Sequence, residues 1–81
     1  MIKVGQIYQR KINGERWVVT KGNFSPKGFD FVLGNIPICM IRNDGEVTVG
    51  SIPHNFIKNC ELIAEYPTWQ EAVNSKEFKN D

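Results

Sequence analysis

Metal and redox chemistry have little to work with in this chain. It holds one histidine, His54, and two cysteines, Cys39 and Cys60, far apart and outside any Cys-x-x-Cys pair. That set does not predict a zinc site, and a disulfide is not expected in a reducing compartment. No apolar run approaches the roughly 18 residues that a membrane span needs. The opening MIKVGQIY lacks the apolar stretch of a signal peptide. The expected setting is the cytoplasm, without a membrane partner. No nucleophile motif or phosphate loop is present. Glu61 and Glu65 would share the solvent face of one strand, with no cleft implied around them to tune a carboxyl group. The expectation is a protein that is not an enzyme, with no catalytic residues, no metal and no cofactor.

What the chain does have is the balance of a folded domain. Its 81 residues are 41% hydrophobic and 23% charged, which argues against disorder and for one domain over 1–81. Five phenylalanines, two tryptophans and two tyrosines supply most of the large core candidates. A core this small leaves little net stability, so a homo-oligomer stays open. The net charge of +1 hides an asymmetry. Residues 1–45 carry most of the lysine and arginine, while residues 46–81 are acidic on balance.

Turn chemistry divides the chain into strands. IYQRKINGERWVVT reads as a hairpin about Asn13-Gly14, the pair that suits a two-residue type I′ turn. That register pairs Arg10 with Trp17, Tyr8 with Val19 and Lys11 with Arg16. KGNFSPKG, residues 21–28, is loop, and FDFVLG, residues 29–34, alternates as a strand. ICMIRNDGEVTVG reads as a second hairpin with a three-residue loop, Asn43-Asp44-Gly45, and Gly45 at a left-handed bulge position. Arg42 then pairs with Glu46, and Cys39, Ile41, Val47 and Val49 share an apolar face, which predicts a buried, unreactive Cys39. Pro53-His54-Asn55 predicts a tight turn or short 3₁₀ segment before a last strand, CELIAEY, with Ile52 and Ile57 pointing inward. Thr68 and Glu71 form a capping box after Pro67. A helix over about 68–79 should therefore follow, docking through Trp69 with Ala72 and Val73 beside it.

Gly50-Ser51-Ile52-Pro53-His54-Asn55-Phe56-Ile57 resembles the Gly-x-Ile-Pro-Ser-Asn-Tyr-Val segment of SH3 domains, with Phe56 where that segment has tyrosine. The resemblance implies an SH3-like small barrel of about five antiparallel strands within 4–66, closed at the Pro53 corner, with one short C-terminal helix. It also implies that Pro53, Asn55 and Phe56 help to line a protein-binding surface. KVGQIYQRKINGERWVV together with FIKNCELIAEYPTWQEAV resembles small uncharacterised proteins of bacteriophages and prophages of Gram-positive bacteria. That resemblance implies an accessory protein acting in the host cytoplasm on a host or phage protein.

Two binding chemistries fit these residues. A protein partner would meet Tyr8, Trp17, Pro53, Asn55 and Phe56, because aromatics give large contact areas at low entropic cost. A nucleic acid, the alternative, would meet Lys11, Arg16, Lys21 and Lys27 with Phe24 as a stacking platform. The sequence pI of 7.8 favours the protein partner.

Overall fold

The computed structural model describes residues 2–23, 35–48 and 52–79. The first hairpin joins β1 (Gln6–Arg10) to β2 (Arg16–Lys21). Its register pairs Ile7 with Val18, Tyr8 with Trp17 and Gln9 with Arg16, so the loop spans 11–14 instead of Asn13-Gly14 alone. Electrostatics favour the longer loop. Arg10 now faces Glu15, its N–H donating to the Glu15 carbonyl at 2.8 Å and its guanidinium reaching the carboxylate at 3.1 Å. The shorter loop would have set Lys11 against Arg16, a like-charge pair. Asn13 still shapes the turn, its side-chain oxygen accepting the Glu15 N–H at 3.0 Å, and Gly14 takes φ +75°. Because the shift is two residues, every side chain keeps its expected face.

Two more strands flank this hairpin. β4 (Cys39–Arg42) pairs with β2, and β6 (Cys60–Glu65) pairs with β1, giving an antiparallel sheet in the order β4-β2-β1-β6. A separate two-stranded ribbon joins β3 (Asn35–Ile36) to β5 (Ile52–Pro53). The fold is mainly β and antiparallel, as the sequence predicts. The strand read over 29–34 lies outside the described residues, as do Phe24, Lys27 and Val49.

The second hairpin keeps its predicted register. The Arg42 N–H donates to the Glu46 carbonyl at 2.7 Å, the Gly45 N–H returns to Arg42 at 2.8 Å, and Gly45 takes φ +95°. Its facing is the correction. Met40, not Cys39, is fully buried, while Cys39 and Ile41 are half-buried and Val47 is 55% exposed. The prediction assumed one apolar face per strand, whereas both faces of this sheet are covered. Trp17, Val18 and Val19 are buried in succession, as in a strand enclosed on both sides.

On one face, Tyr8, Trp17, Val19 and Met40 pack with Ile36 and Ile38 from the ribbon side and with Ile2. On the other, Ile7 and Val18 pack with Ala72 and Phe78. Those last two come from α2 (Trp69–Val73) and α3 (Lys76–Lys79), two short helices where one was expected. Ser75 makes the break. Its hydroxyl donates to the Ala72 carbonyl at 2.6 Å and accepts the Phe78 N–H at 3.3 Å, ending one helix and starting the next. The Thr68 cap is as predicted, its hydroxyl accepting the Glu71 N–H at 3.2 Å. Docking relies on Ala72 and Phe78, with Trp69 half-buried at the margin.

A bulge in β6 overturns the expectation for Glu61 and Glu65. Ile7 pairs with Ala64 and Tyr8 with Leu62, leaving Ile63 as the extra residue. Glu61 pairs with Gln9 and Glu65 with Gln6, so the two carboxylates lie on opposite faces. Gly5 explains how the chain enters β1. It has φ +95°, and a Cβ there would lie 2.2 Å from the Tyr66 carbonyl oxygen. Only glycine fits a backbone crossing this close.

Candidate functional site

The corner before β6 is α1 (His54–Lys58), one helical turn with Pro53 at its N-cap. Proline suits that place, since it has no N–H to leave unpaired. Pro53 and Asn55 are exposed, and Ile57 packs against the core as expected. Phe56 is half-buried and meets the buried Trp17 edge to face, with ring centroids 5.1 Å apart and planes at 88°, a favoured aromatic geometry.

Two arginines lie over this pair. The Arg10 guanidinium is 5.5 Å from the Phe56 centroid, and that of Arg42 is 5.6 Å from Trp17. Carboxylates hold both. Glu15 bridges them, at 3.1 Å from Arg10 and 2.9 Å from Arg42. Arg42 also reaches Asp44 at 2.5 Å and Glu46 at 2.6 Å. The Arg42 hydrogen bond, helped by the Glu46 N–H, holds the Asp44 carboxyl down at about 2. Trp17 is buried, and its indole Nε1 has no hydrogen-bond partner among the described residues.

The structure thus brings Trp17 and Phe56 together and sets Pro53 and Asn55 on the same turn, but it removes both Trp17 and Tyr8 from the surface. Tyr8 is 8% exposed, and its hydroxyl donates to Gln6 Oε1 at 2.8 Å. Burial, aided by the charges of Glu65 and Cys60, pushes its phenol up to about 12. Gln6 was missed in the sequence. It is 3% exposed, accepts from the Lys3 N–H at 2.9 Å and donates to Glu65 at 3.4 Å, while Lys3 and Glu65 pair at 2.7 Å. A lone glutamine in an alternating segment gives no signal of that role.

The described members of the basic set are dispersed. Lys11 is exposed in the first hairpin loop, and Lys21 is exposed at the far end of β2. Arg16 to Lys21 is roughly 16 Å along an extended strand. Arg16 itself turns to the helical layer, donating to the Glu77 backbone carbonyl. Among the described residues, no three His, Cys, Asp or Glu side chains gather as metal ligands, and no helix is long and apolar enough to cross a membrane.

Surface hollows lie among the described residues. One, of about 460 Å³, is bounded by Lys3, Val4, Glu65, Tyr66 and Pro67. Another, of about 390 Å³, is bounded by Arg10, Lys11, Ile12 and Asn59 and adjoins α1. Against known protein families, curated proteins and solved structures, the chain finds no match.

Proposed function

We propose that this chain is a non-enzymatic protein-binding module whose contact surface centres on Pro53, Asn55 and Phe56, with Trp17 as its support. The observation that carries the reading is Phe56. It stays half-exposed although Trp17 braces its edge and Arg10 lies over its ring. A ring held in place before binding loses little entropy when a partner covers it. Tyr8, being buried, contributes rigidity beneath the surface instead of contact.

The same proposal takes the sheet and ribbon as parts of one SH3-like small barrel. In support, Ile36 and Ile38 share a core with Trp17, Val19 and Met40, and the Pro53 turn leads directly from β5 into β6. A phage or prophage accessory role in a host cytoplasm fits the sequence resemblance and belongs to the same reading.

The test compares proteins retained from a bacterial lysate by the wild-type chain and by a Pro53→Ala/Asn55→Ala variant with an unchanged thermal melt. Loss of a specific retained protein in the variant is expected. Equal retention by both overturns the assignment of the surface. Retention of nucleic acid that is lost in Lys21→Glu/Lys27→Glu, with a steep salt dependence, transfers the function to the basic residues.

A further inference from the structure

The most exposed large hydrophobic residue among the described ones is Ile12, at 82%. It stands at the rim of the hollow of about 390 Å³ bounded by Arg10, Lys11, Ile12 and Asn59. The hollow is built, because the Lys11 N–H donates to the Asn59 carbonyl at 3.1 Å and ties the hairpin loop to the end of α1. Asn59 is anchored in turn, its N–H reaching the Asn55 and Phe56 carbonyls at 3.2 Å each. The two walls therefore stand in a fixed relation.

The two charged residues that bound it, Arg10 and Lys11, are both basic. Arg10 is matched by Glu15. Lys11 and Lys58, the residue before Asn59, are exposed and pair with no carboxylate among the described residues. Resting on the protein-binding reading above, we infer that this hollow docks an acidic segment of the partner, which sets an aliphatic side chain against Ile12 and carboxylates opposite Lys11 and Lys58. The aliphatic contact removes exposed apolar surface from water, and the opposite charges speed and orient the encounter.

Charge and shape argue against other occupants. A second copy docking symmetrically would bring like-charged lysines together. A nucleic acid would need an open ring for stacking, and none of the residues that bound this hollow is aromatic.

Fluorescence anisotropy tests the site with a fluorescein-labelled peptide of alternating aspartate and leucine. Its lysine–leucine counterpart and a labelled oligo-dT serve as competing probes. Saturable binding of the acidic peptide alone is expected. Ile12→Asp, and separately Lys11→Glu/Lys58→Glu, should each weaken it by about tenfold or more. Lys21→Glu, at the far end of β2, should leave it unchanged. All four substituted positions are exposed, and thermal melts confirm the fold of each variant.

Absence of acidic-peptide binding, or equal binding of the lysine–leucine peptide, overturns the inference. Tighter binding of oligo-dT that is lost in the same variants assigns the hollow to nucleic acid and also overturns it. A wild-type dimer that Ile12→Asp converts to monomer assigns the hollow to a second copy, with the same consequence. If a protein is still captured through Pro53 and Asn55 while the acidic peptide stays unbound, only this docking site falls and the module reading stands.

Discussion

The Arg10 guanidinium lies 5.5 Å from the centroid of Phe56, although the two residues belong to β1 and α1 and meet only in the folded chain. Their contact fastens the helical turn to the sheet. A double-mutant cycle of Arg10→Ala and Phe56→Leu should show coupling of about 0.5–1 kcal/mol, the range for a partly exposed cation–π pair. Urea unfolding of the four proteins measures it, and additive effects would show the contact to be incidental.

Gly5→Ala should destabilise the protein by about 2 kcal/mol or more, since left-handed strain adds to a collision with backbone. Gly45→Ala has nothing within 4 Å of its new Cβ and should cost only the strain, about 1 kcal/mol. Thermal melts of the two variants rank them. Equal losses would mean that the Gly5–Tyr66 crossing relaxes freely.

Acid should weaken the fold through the Arg42 cluster. Asp44 ionises at about 2 in the folded chain, below its ordinary value of 3.8. A lowered folded value means stability that is complete above about pH 4 and is lost as pH falls toward 2. Glu65, held down by the Lys3 hydrogen bond and by Gln6, adds to the same loss. Arg42→Ala should flatten this dependence, read as urea midpoints across the acid range. An unchanged slope would place the acid sensitivity elsewhere.

The helical layer should depend more on Phe78 than on Trp69. Phe78 is 4% exposed, so Phe78→Ala should cost about 3–4 kcal/mol. The half-buried Trp69 should cost about 2 kcal/mol on truncation to alanine. Chemical denaturation of both variants decides the order, and a larger loss at Trp69 would restore it as the main anchor.

Local chemistry was legible in the sequence. Gly45, the Arg42–Glu46 pair, the Thr68 cap and the turn at Pro53 all follow from rules that act within a few residues. The first hairpin was misread because Asn13-Gly14 suits a short turn, while the Arg10–Glu15 attraction selects a longer one. Cys39 and Met40 exchanged roles because alternation cannot reveal that Ile36 and Ile38, from the ribbon side, cover the face on which Met40 lies. The bulge at Ile63, which parts Glu61 from Glu65, has no glycine or proline to announce it. In the candidate site, Pro53, Asn55 and Phe56 could be read from one short segment. The two arginines over the aromatic pair could not, since they arrive from other strands.

The pairing of β1 with β6 also bears on how the chain is made. The strand beside Gln6–Arg10 is the last of the described strands in chain order, and Ala72 and Phe78, which cover Ile7, emerge later still. A nascent chain that has completed its first two hairpins still exposes one edge of β1 and one face of the sheet. Contacts so distant in sequence form slowly. Until residues 60–79 emerge, the open edge of β1 is exposed to chaperones and to mispairing.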